Sequence, residues 1–144
     1  MKKIKIINGP NINFLGKREN IYGKETIDDI IKYTEKKLSN FEVELSWFQS
    51  NVEGEIVNEI QSLVDSDYHG LVINPAAYSH TSVAIHDALK LLNIPIIEVH
   101  LTNVYSREEF RSLMLTAKAA SKIMCGLKKQ AYYMGALSLL EEEE

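Results

Sequence analysis

The sequence contains one cysteine, Cys125, in 144 residues. No intramolecular disulfide is available, and a reducing compartment is the simpler setting. It also lacks any apolar run approaching the roughly 18 residues that a membrane-spanning helix requires. The opening stretch MKKIKIIN carries lysines inside a short apolar run, which is too brief for a secretory signal and reads as a strand. Clusters of basic charge are missing too. The net charge is -4 and the pI is near 5.6, with lysines scattered along the chain, and this disfavours a nucleic-acid surface. These absences predict a cytoplasmic protein with neither a membrane nor a nucleic-acid partner.

The familiar phosphate and metal motifs are absent as well. Neither GxGxxG nor GxxxxGK[ST] occurs, so dinucleotide and nucleotide binding are not expected. HExxH and CxxC are missing, and His80 and His86, six apart, are expected to face different sides of a helix, so no metal site is expected. Cys125 lies in an apolar strand and reads as an inert core thiol rather than a nucleophile.

What is present is an average soluble domain. With 45% hydrophobic and 25% charged residues, residues 1–144 form one domain with one core, large enough to fold without a structural metal. The acidic run at 141–144 reads as a solvated, frayed end to the last helix. Apolar runs of strand length alternate with segments of helical period, the pattern of an α/β fold on a parallel sheet. Strands are expected at Lys3 to Ile7, Glu42 to Phe48, Gly70 to Asn74, Pro95 to Val99 and, more weakly, Ser121 to Cys125. Trp47 and Phe48 are read as core. A first helix opens on a capping box of Thr26 and Asp29 and turns Ile27, Ile30, Ile31 and Leu38 to one face. A second carries Ile56, Val57, Ile60, Leu63 and Val64 at helical spacing. A third runs from Ser82 to Leu92, Ser106 and Glu109 form a second capping box, and a final helix spans Leu127 to Glu141.

In an open parallel sheet, ligands bind outside the carboxyl ends of the strands. Four successive strand ends carry polar residues there: Asn8-Gly9-Pro10-Asn11, Gln49-Ser50-Asn51, Asn74-Pro75-Ala76, and Glu98 through Asn103 with His100 among them. Such residues weaken strands without improving burial, so their coincidence on one edge points to a site.

At these positions four blocks, NGPNINFLGKRENIYG, FQSNVEGEI, NPAAYSHTSVAIHDAL and IIEVHLTNVYSREEFR, resemble the type II 3-dehydroquinate dehydratases over most of Ile7 to Arg111. The resemblance implies a flavodoxin-like three-layer sandwich with a five-stranded parallel sheet in the order 2-1-3-4-5. It implies anti elimination of water from 3-dehydroquinate to 3-dehydroshikimate through an enolate, a step of the shikimate pathway, with no metal or cofactor. It further implies a homo-oligomer, with trimers assembled into a dodecamer, and Asp87 reaching into a neighbouring subunit's site.

Residue chemistry supports that assignment. Abstracting a proton beside a ketone needs a base, and a phenol serves only where a neighbouring cation favours phenolate. Tyr22 is the family's base, and Arg18 on the same loop supplies the cation. Expelling hydroxide needs a donor, and His100 sits just past a buried strand. Glu98, two residues earlier on the same strand face, holds the imidazole in one tautomer. Asn11 resembles the residue that fixes a water against the enolate oxygen. By motif position, substrate binding falls to Asn74, to the backbone N–H groups of Leu101 and Thr102, and to His80 and Arg111.

Three positions depart from the family pattern: Ala76 replaces a usual glycine, Thr102 a commoner serine, and His86 a usual arginine. Ala76 matters if its backbone needs a positive φ. His86, beside Asp87, is expected to alter subunit contacts rather than chemistry. Divergence is larger beyond Arg111. The competing hypothesis is a non-catalytic flavodoxin-like module that binds a small hydroxylated carboxylate. A degenerate enzyme would normally lose a catalytic residue first, whereas all five are present. A magnesium-binding response-regulator variant is weaker still, because strand one ends in Asn8 and not in an acidic cluster.

Overall fold

A computed structural model describes residues 1–141, so the acidic run beyond Glu141 lies outside the described residues. Five parallel strands, β1 (Lys2–Asn8), β2 (Val43–Gln49), β3 (Gly70–Asn74), β4 (Ile96–His100) and β5 (Lys122–Cys125), form one sheet in the order β2-β1-β3-β4-β5. This is the expected order. Strand order reverses between β1 and β3, so the crevice at their carboxyl ends is a topological switch point.

Among the described residues, four α-helices cover both faces: α1 (Ile27–Lys37), α2 (Glu53–Gln61), α3 (Val83–Leu89) and α4 (Gln130–Leu140). Alternation along each strand divides the core. Ile4, Ile6, Val72, Ile97 and Val99 pack with Ile30 and Leu38 of the α1 region and with Ala131, Tyr132 and Leu139 of α4. Ile7, Leu71, Ile73 and Ile96 point the other way, onto Ile56 and Ile60 of α2 and Ile85 and Leu89 of α3. β3 and β4 are buried along their whole length, as strands covered on both faces must be. Lys5 interrupts the apolar pattern of β1 and is neutralised by Glu59 of α2 at 2.5 Å.

The capping box of α1 forms as its sequence dictates. The Asp29 N–H donates to Thr26 Oγ1 at 3.1 Å, and the Thr26 N–H donates to Asp29 Oδ2 at 3.0 Å. Acidic Asp28 and Asp29 at the start and Lys36 and Lys37 at the end complement the helix dipole.

Several expected boundaries move. α2 ends at Gln61; Leu63 stays buried in the turn beyond it, while Val64 is exposed. α3 is shorter than Ser82 to Leu92, because Leu91 and Leu92 bond to carbonyls three residues back in a tightening last turn. The second capping box does not form. Ser106 spends its hydroxyl on the Asn103 carbonyl, and the segment makes 3-10 turns at Val104–Ser106 and Glu109–Arg111. The last helix starts at Gln130 and not at Leu127, since Lys128 adopts a left-handed φ of 49° and its N–H returns to the Leu101 carbonyl. Trp47 and Phe48 are only half-buried, because β2 is an edge strand and each packs at the margin of a different core cluster.

Candidate active site

A cleft opens at the carboxyl ends of β1, β3 and β4. Asn11, Arg18, Tyr22, Asn74, His80, His100, Leu101, Thr102, Arg107 and Arg111 all line it, with Pro10, Ile12, Ala76, Ala77 and Val104. Nine of the eleven residues anticipated for the site are therefore gathered at one place. The other two, Glu98 and Asp87, do not line it. Glu98 lies one layer beneath, and Asp87 sits on the outer face of α3 with its side chain 69% exposed.

The register sets these positions. Asn8 pairs with Asn74 and Gln49 across the three strand ends. The end of β2 nevertheless does not enter the cleft, contrary to the reading of four strand ends as one site. Gln49 donates its amide to the Gly9 carbonyl at 3.1 Å, and Asn51 Oδ1 accepts the Asn11 backbone N–H at 3.0 Å. These residues brace the loop after β1 and hold Asn11 in a left-handed conformation of φ 69°.

That loop folds back over the strand ends. It is bracketed by Gly16 and Gly23, at φ 92° and 89°, conformations that L side chains avoid. Between them a 3-10 turn at Asn20–Tyr22 drives Tyr22 into the core, where only 8% of it is exposed. Arg18 donates to the phenolic oxygen at 3.1 Å and stacks its guanidinium 3.9 Å from the ring centre. A second guanidinium, that of Arg107, lies over the same ring at 4.9 Å. Arg107 was not anticipated. It lies in the same block as Arg111, but nothing local separates a lining arginine from a solvated one.

In the same cleft, His100 rests on Glu98. Nε2 of the imidazole lies 2.7 Å from Glu98 Oε2, and Glu98 is wholly buried. The carboxylate also accepts from Ser79 Oγ at 2.7 Å and from Thr116 Oγ1 at 2.5 Å. His80 lies alongside, its ring stacked on His100 at 6.1 Å. A carbonyl can only accept, so the 2.9 Å contact to Leu113 O puts a hydrogen on His80 Nδ1. Burial pushes His80 below its usual value; the Leu113 contact opposes this, while His100 and Arg111 reinforce it.

Asn74 is fixed from below. Its Nδ2 donates to the Tyr132 hydroxyl at 3.0 Å, and that hydroxyl donates to Asn8 Oδ1 at 2.6 Å. Asn74 Oδ1 accepts the N–H of Ala76 at 3.1 Å. Ala76 adopts φ 54°, so the residue standing where glycine is usual does occupy a left-handed position. Arg111 is tied to Glu108 at 2.6 Å, which holds the Glu108 carboxyl below its ordinary range. Cys125 is half-buried on β5, and burial raises its thiol.

Chemically, the cleft combines a phenol flanked by two guanidiniums with an imidazole backed by a carboxylate. One group can accept a proton and the other deliver one.

Comparison with known proteins agrees with this arrangement. Residues 2–140 match the family described as Dehydroquinase class II. The chain is 48% identical over 141 residues to a 3-dehydroquinate dehydratase of Helicobacter acinonychis (strain Sheeba), covering 96% of this chain and 84% of the relative. It is 46% identical over 142 residues to a 3-dehydroquinate dehydratase of Fusobacterium nucleatum subsp. nucleatum, covering 96% and 97%. Among solved structures, the type II dehydroquinase from Butyrivibrio crossotus superposes with a TM-score of 0.92 at 41% identity, over 96% of this chain and 97% of that one.

Proposed function

The chain belongs to the class II dehydroquinase family and dehydrates 3-dehydroquinate to 3-dehydroshikimate; we propose that it does so by anti elimination, with Tyr22 as base and His100 as acid. The observation that carries this reading is one cleft lined both by Tyr22, bonded to Arg18, and by His100, bonded to Glu98.

Two guanidiniums around the Tyr22 ring stabilise negative charge on its oxygen, so the phenolate takes the proton from the carbon beside the ketone. The electrons of that C–H bond pass into an enolate. Asn11 lines the same cleft and holds a water against the enolate oxygen. Collapse of the enolate breaks the carbon–oxygen bond, and His100 protonates the departing hydroxide to give water. Tyr22 then holds one proton more and His100 one fewer, and exchange with solvent restores both. Asn74, His80, Arg111 and the backbone N–H groups of Leu101 and Thr102 hold the carboxylate and hydroxyls of the ring. Every step uses groups of the chain itself, so the mechanism calls for no cofactor. A module that only binds its ligand would not need the paired charges beneath both reacting groups.

The same reading places the enzyme in the cytoplasm, in the shikimate pathway, as a dodecamer of trimers. Asp87 supports the assembly, since it is exposed, paired with His86 at 2.9 Å, and outside the cleft of its own chain. Exposed Tyr105, Phe110 and Leu113 beside the cleft supply apolar surface for a neighbour to cover.

Purified protein given 3-dehydroquinate is expected to produce the ultraviolet absorbance of a conjugated enone, and Tyr22→Phe and His100→Ala are expected to abolish it. Full activity in either variant would overturn the roles given. Borohydride added with substrate is expected to leave the enzyme active, because no lysine lines the cleft to form a Schiff base.

A further inference from the structure

Glu98 is the most enclosed charged group in the site, and the hydrogen bonds it accepts come from three side chains on three parts of the chain. Ser79 lies within the short 3-10 turn Ala76–His80 that follows β3. Thr116 opens the 3-10 turn Thr116–Ala119 that precedes β5, and His100 ends β4. Ser79, Thr116 and Glu98 are each wholly buried. The two hydroxyls approach each other at 3.2 Å, and the Leu115 N–H donates to the Ser79 carbonyl at 2.7 Å, binding the two turns together. No role in the reaction has so far fallen to either hydroxyl.

Counting protons shows what they do. An ionised carboxylate only accepts. Each hydroxyl has one hydrogen, and the short contacts to Oε2 and Oε1 direct both onto Glu98. The remaining contact on Oε2 is His100 Nε2, which must then carry its own hydrogen towards the carboxylate. A Glu98 that took up a proton could donate it to His100 Nε2, but both hydroxyls would then donate to a neutral carboxyl in place of a carboxylate, and two charge-assisted hydrogen bonds would weaken. The two hydroxyls therefore keep Glu98 an acceptor, which fixes His100 as the Nε2–H tautomer and leaves Nδ1 as the nitrogen that gains and delivers the catalytic proton. Other ionisable groups near the pair, His80 and Arg111 on the cleft side and Cys125 on β5, make no hydrogen bond to this carboxylate among the described residues.

We propose that Ser79 and Thr116 are positioning residues for the proton donor, forming a hydroxyl clamp that holds Glu98 ionised and His100 in the tautomer the elimination requires. The inference rests on His100 being the acid. It extends the site to residues that touch no substrate.

The test combines steady-state kinetics on 3-dehydroquinate with nitrogen-15 NMR of the His100 ring in the substrate-free enzyme, its resonances identified by their loss in His100→Ala. Thr116→Val keeps the shape of the side chain and removes the hydroxyl; it is expected to lower kcat on the order of tenfold to a hundredfold while KM changes little. Thr116→Ser restores a hydroxyl without the methyl and is expected to stay within about twofold of the parent. Ser79→Ala should resemble Thr116→Val, and the double variant is expected to lose the Nε2–H signature expected of the parent. An unchanged kcat and tautomer in the double variant, or a loss in Thr116→Ser as large as in Thr116→Val, overturns the clamp. If the double variant does not fold, the single variants decide by the same criteria. An active His100→Ala would instead remove the acid on which the inference rests, whereas an inactive His100→Ala beside fully active clamp variants refutes the clamp alone.

Discussion

A guanidinium nitrogen of Arg18 lies 3.1 Å from the phenolic oxygen of Tyr22, and the same guanidinium stacks 3.9 Å from the centre of that ring. One residue thus meets Tyr22 both at its oxygen and at its π-face. Arg18→Lys retains a charge but not the planar fork, so it cannot make both contacts at once. Both Arg18→Lys and Arg18→Ala are expected to lower kcat, the alanine variant more, and Tyr22→Phe to lower it by roughly two to four orders of magnitude. Steady-state rates decide this. An Arg18→Ala enzyme with the parent's kcat would show that Arg107 alone charges the base.

Tyr132 reaches from the last helix to two strand ends at once. Removing its hydroxyl strands Asn74 Nδ2 and Asn8 Oδ1 in a buried layer, while the ring contact with Trp47 at 5.4 Å survives in phenylalanine. Tyr132→Phe is therefore expected to cost about 1–3 kcal/mol of stability and to raise KM, because Asn74 loses its anchor. Urea denaturation and substrate titration measure the two effects. Burial holds the phenol well above its ordinary range, so it stays protonated across the working pH.

Ala76 stands at φ 54°. The left-handed conformation costs an L-residue about 1–2 kcal/mol, and a glycine there gives back about 0.5–1 kcal/mol in unfolded-chain entropy. Strain relief wins by a small margin. Ala76→Gly is expected to stabilise the fold by roughly 0.5–1 kcal/mol and to raise Tm by a few degrees; a thermal melt at or below that of the parent would refute the strain.

Burial holds His80 below its ordinary 6.5. As pH falls, the unfolded chain takes up a proton on this residue first, so folding loses stability. The contribution is intact above about pH 6.5 and declines below it, until the folded imidazole also protonates. His80→Asn keeps a donor for the Leu113 carbonyl but does not titrate. Urea midpoints at about pH 8 and about pH 5 should therefore fall further for the parent than for the variant. Equal falls would assign the acid sensitivity to other groups.

Burial raises the Cys125 thiol, which leaves little thiolate at neutral pH. Alkylation of the folded protein by iodoacetamide is expected to be slower than that of the denatured chain, and Cys125→Ala to retain parental kcat at a cost of about 1 kcal/mol in stability. Loss of turnover on modification of Cys125 would contradict its exclusion from the chemistry.

Legibility in the sequence followed how local each determinant is. Apolar runs bounded by polar turns placed all five strands within a residue or so, and the i, i+3 pair of Thr26 and Asp29 gave a true capping box because an apolar face follows it. The same spacing misled at Ser106 and Glu109, where Phe110 and Leu113 face solvent and no helix has a surface to bury. The positive φ of Lys128 left no mark, since lysine is not a residue that announces a left-handed turn. Glu98 and His100 were legible as a pair because alternation along one strand puts them on one face. Arg107, Ser79 and Thr116 were not, because each acquires its role from a partner on a different element.

The two halves of the cleft are held by different means. His100 is fixed by strand pairing, with Cys125 opposite it in the sheet, whereas Tyr22 hangs between Gly16 and Gly23 in a segment that contributes no strand. Residues 17–22 therefore behave as a cassette. Exchanging them would replace Tyr22 and Arg18 together while Arg107 and the strand that carries Glu98 and His100 stay in place, so drift or redesign would revise one half of the proposed reaction and keep the other.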